Sequence, residues 1–172
     1  MKGFVKRLLD GADIDNGDVR VGIVSYSTKA NVEFMLNSYN TKADVFDAVN
    51  SMSWKYGSTN TADGLRAMRE EIFSEDNGDR HGVPNTCILI TDGVSNINSR
   101  RTIPEAEYAK ASGIHIFAIG IGLKDQSEIN EMVSKPASTN AFAVRTFDEL
   151  EDLDEKVLLR MNFLEKADTT EN

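Results

Sequence analysis

The sequence predicts a single α/β domain, a doubly wound and mainly parallel Rossmann-like sheet with one antiparallel edge strand. The apolar runs Cys87–Ile90 and Ile114–Ile121 lack polar alternation, as in strands that are covered on both faces. Helical and strand patterns alternate along the chain, which is typical of parallel sheets with right-handed crossovers. The 172 residues, 40% of them hydrophobic, are enough for one core.

The pattern of the first part of the chain predicts one helix, a hairpin and two further helices. Apolar residues at helical spacing indicate an amphipathic helix from Met1 to Ala12. The strand patterns Val19–Tyr26 and Val32–Leu36 are separated by a hairpin-length turn, so we expect an antiparallel pair. Thr41 is expected to cap the next helix. A further helix follows, with three apolar positions at helical spacing: Leu65, Met68 and Ile72.

The second part of the chain continues the alternation after the Cys87 strand. Pro104 fits the first turn of a helix that Gly113 ends. Ser127 is expected to cap a short helix before a last strand at Ala141–Val144. The pattern then predicts a final helix over Phe147–Met161 and a polar tail.

Composition excludes several classes of function. With a net charge of −9 and a pI of about 4.7, the chain does not have the basic surface that binds nucleic acid or anionic membranes. No apolar run approaches the roughly 20 residues of a membrane span, and the amino terminus does not have the pattern of a signal peptide. Cys87 is the single cysteine, beside two histidines, which excludes an internal disulfide and a structural zinc site.

Oxygen-bearing side chains follow two of the predicted elements. Asp92 and Ser95 come after the Cys87 strand, and Ser58, Thr59 and Thr61 lie in an upstream loop. Open α/β sheets bind ligands at the carboxyl ends of their strands, and hydroxyls, carboxylates and water are ligands for Mg²⁺. The structural alternative is that Asp92 belongs to a turn and that Ser58 or Thr61 caps a helix. No motif for nucleophilic catalysis or dinucleotide binding is present.

Four blocks of sequence resemble the von Willebrand factor type A domain family, in the order in which the family carries them. They are Arg20–Ser27, Gly57–Leu65, Ile88–Ser95 and Ile116–Gly122. The pattern is similar to that of the matrix members of the family, such as matrilins and collagen VI. The resemblance assigns residues 1–162 to the domain and residues 163–172 to the polar tail.

The resemblance also implies a metal-ion-dependent adhesion site. Thr59 and Asp92 match the family's second and third metal-binding loops, with Ser95 and Ser58 as outer supports. The first loop, D-x-S-x-S, has no counterpart, because the chain begins within the helix that follows it. We therefore expect the central first strand to be absent from the sheet order 3-2-1-4-5-6, and Mg²⁺ binding to be weak or absent.

The function implied by the resemblance is that of a non-enzymatic, extracellular protein-binding module. Its partner is expected to be a matrix or cell-surface protein such as a collagen, held through Mg²⁺ and an acidic side chain. Two alternatives remain open at this stage. One is a metal-independent structural module, since fold does not dictate function, and the other is an intracellular α/β enzyme that uses Asp92.

Overall fold

The computed structural model describes residues 1–53, 56–153 and 155–158. The elements follow in the order α1 (Lys2–Asp10), β1 (Ile23–Tyr26), β2 (Ala30–Phe34), α2 (Lys42–Ser51), α3 (Thr61–Ala67), β3 (Asn85–Thr91), α4 (Ser99–Ala111), β4 (Ile114–Ile121), α5 (Ser127–Met132), α6 (Ala137–Asn140) and β5 (Ala141–Val144). A π-helical turn, Met68–Ile72, continues α3. Short 3₁₀ turns lie at Glu75–Asn77 and Asp148–Asp152.

The strands form two sheets, and the predicted α/β class is confirmed. β3, β4 and β5 are parallel neighbours in that order, with Asn85 opposite Ile114 and Ala118 opposite Ala141. β1 and β2 form the expected antiparallel hairpin, with Tyr26 opposite Ala30.

β1 and β3 belong to different sheets and are not paired with each other in the described part of the chain. The Tyr26 hydroxyl, at the end of β1, donates a hydrogen bond of 3.1 Å to the carbonyl of Ile90 in β3. A side chain therefore joins the two sheets at their carboxyl ends.

Helices cover both faces of the sheets. On one face, Phe4 and Leu8 of α1 pack with the β4 residues Ile119 and Ile121. The next two residues of α1, Val5 and Leu9, pack instead against the cluster that contains Phe34, Val45 and Val49, so α1 spans both sheets. The opposite face is covered by α3, α4 and α5, through the buried residues Leu65, Met68, Ala106, Ala109, Ile129 and Met132.

Several predicted boundaries differ from the observed ones. The first strand begins at Ile23 and not at Val19, because its partner β2 offers pairing only from Phe34 back to Ala30. Helix α4 begins at Ser99, and the Arg101 amide donates a hydrogen bond of 2.8 Å to the Asn98 carbonyl in its first turn. Pro104 therefore lies inside this helix and not in its first turn.

The predicted carboxyl-terminal helix is only partly within the described residues. Residues 148–152 form a 3₁₀ turn and residues 155–158 are helical. The rest of that helix and the polar tail, residues 159–172, lie outside the described residues. No helix in the described ranges is long and apolar enough to cross a membrane.

Candidate functional site

Main-chain hydrogen bonds bring the Thr59 and Asp92 loops together at the carboxyl edge of the sheets. The Thr59 carbonyl accepts from the amides of Asn96 at 2.9 Å and Ile97 at 3.2 Å. The Thr59 amide in turn donates to the side-chain carbonyl of Asn96 at 2.9 Å. These bonds tie the upstream loop to the segment that follows β3, and so place Thr59 beside Asp92.

Gly93 lets the two loops approach closely. A Cβ atom at this position would lie 2.9 Å from the Thr59 hydroxyl oxygen, which is closer than Cβ atoms in proteins come to other heavy atoms. Any residue with a side chain at position 93 would therefore push the two loops apart. Asp92, the residue before it, is exposed to solvent. A hydroxyl and a solvent-facing carboxylate therefore belong to neighbouring backbone segments.

Ser95 lies beneath this surface in a buried hydrogen-bonded cluster. Its hydroxyl is 2.8 Å from that of Thr61, 3.0 Å from that of Thr102 and 2.9 Å from a carboxylate oxygen of Glu128. One proton and two lone pairs satisfy all three contacts, if Ser95 donates to Glu128 and accepts from both threonines. The Ser95 amide also donates to Glu128 at 3.0 Å.

The Ser95 cluster, consisting of Ser95, Thr61, Thr102 and Glu128, connects four elements of the fold. Thr61 opens α3, Thr102 lies in α4, Glu128 lies in α5, and Ser95 belongs to the loop after β3. Thr61 and Thr102 are fully buried, and Ser95 is 8% exposed. The cluster thus supports the Asp92 loop from below, while its hydroxyls do not face solvent.

The other hydroxyls of the upstream loop have local roles. The Ser58 amide donates to the Thr28 hydroxyl at 3.3 Å, which ties this loop to the β1–β2 turn. The cap of α3 is Asn60, whose side chain accepts from the Asp63 amide at 3.2 Å. The cap expected at Ser58 or Thr61 is therefore supplied by the residue between Thr59 and Thr61.

Two carboxylates, Asp92 and Glu128, lie near the buried Tyr26 at this edge. Tyr26 is buried there, and desolvation raises the pKa of its phenol far above the ordinary value, with a smaller contribution from the charges of Asp92 and Glu128. The phenol stays protonated and donates to Ile90. Two carboxylates near one edge favour a cation over an anion.

The donor set fits part of a Mg²⁺ coordination shell. Thr59 and Asp92 offer one hydroxyl and one carboxylate on adjoining loops, whereas Mg²⁺ takes six oxygen ligands and keeps several waters. Among the residues described, no group of three or more His, Cys, Asp or Glu side chains could hold a metal. Water would have to complete the shell.

Sequence reasoning proposed Thr59, Asp92 and Ser95 for the candidate site, but it did not predict their contacts with Glu128, Thr102 and Asn96. Glu128 is 33 residues from Ser95, and no local pattern links a glutamate in a short helix to a distant loop. Asn96 directly follows Ser95, yet its bond to the Thr59 amide depends on how the two loops meet. Only the fold reveals these partners.

Comparison with known proteins gives consistent matches. Residues 1–156 match the model of the von Willebrand factor type A domain. Matrilin-3 of Mus musculus is 31% identical over 156 residues, which cover 89% of this chain and 32% of that protein. The collagen alpha-4(VI) chain of Mus musculus is 29% identical over 155 residues, covering 89% of this chain and 7% of that protein. The chain therefore spans a third or less of these relatives.

Solved structures share the fold. Proximal thread matrix protein 1 from the mussel byssus superposes with a TM-score of 0.86 at 30% identity, covering 92% of this chain and 41% of that one. A further structure of the mussel protein is described as having a zinc-occupied MIDAS motif. BatB from Bacteroides thetaiotaomicron has a TM-score of 0.69 at 16% identity, a likeness of fold alone.

Proposed function

Because this chain belongs to the von Willebrand factor type A domain family, we propose that it is a protein-binding module of an extracellular matrix or cell-adhesion protein. Its binding surface is the carboxyl edge of the sheets, where Thr59 and Asp92 would contribute to a Mg²⁺ site. An acidic side chain of the partner would then complete the coordination of the ion. The partner class is a matrix or cell-surface protein, and collagen is the first candidate.

The observation that carries this proposal is the junction of the two loops. Thr59 is bonded through its amide and carbonyl to the segment after β3, and Gly93 leaves room for its hydroxyl. The backbone that carries the Thr59 hydroxyl is thus held in place before any ion arrives. Preorganised ligands lower the cost of binding.

Asp92, Thr59 and the Ser95 cluster would have different roles at such a site. Asp92 supplies the negative charge at the surface, and Thr59 supplies a neutral hydroxyl. The Ser95 cluster fixes the loop after β3, which carries Asp92, to α3 and α4. When bound, the ion supplies an open coordination position for an oxygen ligand. With two protein donors, we expect Mg²⁺ affinity in roughly the millimolar range or weaker.

Mg²⁺ titration followed by amide NMR tests the site. We expect shifts centred on Thr59 and Gly93 that disappear in Asp92→Ala. Asp47→Ala, which removes an exposed carboxylate of α2, is the matched control and should leave the shifts unchanged. Equal shifts in Asp92→Ala would refute the assignment, and micromolar affinity would show that the ligand set is larger than these two residues.

The thin donor set favours a second candidate, a structural module that binds its partner without metal. Adhesion to immobilised type VI collagen in Mg²⁺ or in EDTA separates the two. Binding that EDTA abolishes supports the metal-dependent module, whereas equal binding in both solutions supports the structural one. The matched relatives are matrilins and collagens, and we propose no catalytic activity for this chain.

A further inference from the structure

We propose that a cavity at the carboxyl ends of β4 and β5 binds an acidic side chain of a polypeptide partner through the guanidinium group of Arg145. The cavity has a volume of about 440 Å³ and is lined by Gly122, Leu123, Gln126, Ala143, Val144 and Arg145. We call it the Arg145 cavity. This site deepens the protein-binding function proposed above, on which it rests, but it requires no metal ion.

Hydrogen bonds fix the loops that form the Arg145 cavity. The Gly122 amide donates to the Val144 carbonyl at 2.8 Å, which joins the segments that leave β4 and β5. Gly122 has a φ of 66°, a conformation that favours glycine, and an added Cβ would lie 3.3 Å from the Arg145 carbonyl oxygen. In the loop before α5, one carboxylate oxygen of Asp125 accepts from the Ser127 amide at 2.9 Å and from the Ser127 hydroxyl at 2.6 Å. These loops are therefore held in place before a ligand arrives.

The guanidinium group of Arg145 is available to a ligand. Arg145 is exposed, and within the described ranges its guanidinium group makes no hydrogen bond or ion pair. The Glu149 carboxylate accepts instead from the main-chain amide of Arg145 at 2.7 Å. A guanidinium group carries its donors in a planar fork, which matches the two oxygens of a carboxylate. The chemistry of this side chain therefore favours a carboxylate ligand.

The other lining residues favour glutamate over a shorter acid. Leu123, Ala143 and Val144 are apolar, and Gln126 adds a side-chain amide. A glutamate side chain has one methylene group more than an aspartate side chain, so it offers more apolar surface to these residues. The volume of the Arg145 cavity lies in the range of ligand-binding clefts, which leaves room for the backbone on either side of the glutamate.

The Arg145 cavity lies at the same edge of the sheet as Asp92. Thr91 lies opposite Gly120, and Gly120 lies opposite Ala143, so the segments after β3 and β5 leave the sheet at nearly the same level. Two interstrand spacings of roughly 4.8 Å each separate β3 from β5, and an extended segment covers about 10 Å in about three residues. A partner segment with acidic residues three positions apart therefore spans both places.

Peptide titration in EDTA tests the Arg145 cavity separately from the metal site. The probe is acetyl-Gly-Glu-Gly-amide, and the matched peptide has glutamine in place of glutamate. Binding to the intact chain is followed by amide NMR at constant ionic strength. We expect saturable shifts at Gly122, Leu123 and Arg145 with the glutamate peptide and none with the glutamine peptide.

Three variants identify the group that binds. Arg145→Gln should weaken binding of the glutamate peptide at least about tenfold, as expected for the loss of hydrogen bonds to a charged group. Arg145→Lys keeps the charge but not the planar fork, so it should bind more weakly than the wild type. Arg100→Gln is the matched control, because it removes an exposed arginine of α4, and it should bind like the wild type.

Three results would overturn the proposal. One is binding of the glutamate peptide that survives Arg145→Gln, and another is equal binding of the two peptides. The third is equal shifts with sodium acetate at the same concentration, since the occupant would then be any small carboxylate and not a polypeptide side chain.

A peptide with two glutamates separated by two glycines distinguishes failure of the Arg145 cavity from failure of the metal site. It should bind more tightly in Mg²⁺ than in EDTA, because both ends are then held, and Asp92→Ala should remove that gain. If the gain is absent while the single glutamate still binds through Arg145, the metal site fails and the Arg145 cavity stands. If Mg²⁺ strengthens binding but Arg145→Gln has no effect, the Arg145 cavity fails and the metal site stands.

Discussion

Replacing Ser95 with alanine tests whether the buried cluster beneath the candidate site stabilises the fold. The substitution leaves two fully buried threonine hydroxyls and the Glu128 carboxylate without their common partner. A buried polar group that loses its partner costs about 1–3 kcal/mol. Thr102 can turn its hydroxyl toward the backbone of α4, whereas Thr61, as the first residue of α3, has no preceding helical turn. We therefore expect a loss of about 2–4 kcal/mol in the free energy of unfolding.

The assay is urea unfolding followed by circular dichroism. Ser99→Ala makes the same chemical change at an exposed position and should alter stability by about 0.5 kcal/mol or less. Thr102→Val removes one hydroxyl at nearly constant volume and should cost about 1 kcal/mol. If Ser95→Ala costs no more than Ser99→Ala, the cluster does not contribute to stability and our account of its hydrogen bonds is wrong.

Three further predictions concern the helix, a turn and the loop junction. Leu8→Ala should lower the free energy of unfolding by roughly 2–5 kcal/mol, because Leu8 is 6% exposed between α1 and the sheet; a urea midpoint like that of the wild type would mean that α1 is not docked. The Ala30 amide holds the pKa of Asp63 below its ordinary value of 3.8; this stabilisation is present above that value and is lost as the pH falls through the lower folded-state pKa. Asp63→Asn should therefore cost about 1–2 kcal/mol at neutral pH, and acid titration of both proteins should show the difference shrinking; a difference independent of pH would contradict this. Gly93→Ala should displace the Thr59 hydroxyl, which an added Cβ would approach to 2.9 Å, and NMR should show weaker Mg²⁺ shifts; unchanged shifts would argue against a role for this hydroxyl.

The periodicity of the sequence was sufficient to predict the layers of the fold. Unbroken apolar runs indicated the buried strands, and β4 is indeed fully buried over Ile116–Ile119. Thr41 caps α2 as expected, with its side chain accepting from the Asp44 amide. Strand boundaries were predicted less accurately because they depend on the partner strand. β1 begins only at Ile23, where its pairing with β2 begins, and nothing in the residues Val19–Gly22 themselves indicates this limit.

The position of Asp92 in the candidate site was predictable from the strand pattern, since Asp92 directly follows β3. Thr59 follows no strand, and it was proposed from the family resemblance. The supports of the site come from elements distant in sequence, as with Glu128 in α5 and Thr102 in α4. Such contacts depend on which helices pack against each other. The spacing of apolar residues along the sequence predicts the helices but not how they pack.

The bonds that fix Thr59 have a consequence for altering this protein. Its amide and carbonyl carry the contacts that join the two loops, and every residue except proline has both groups. The hydrogen bonds that anchor the loop therefore do not depend on the chemistry of the side chain at position 59, although that side chain must still fit beside Gly93. An aspartate or glutamate installed there would add a second carboxylate beside Asp92 while the loop keeps its anchorage, so cation affinity could be tuned by design without rebuilding the scaffold.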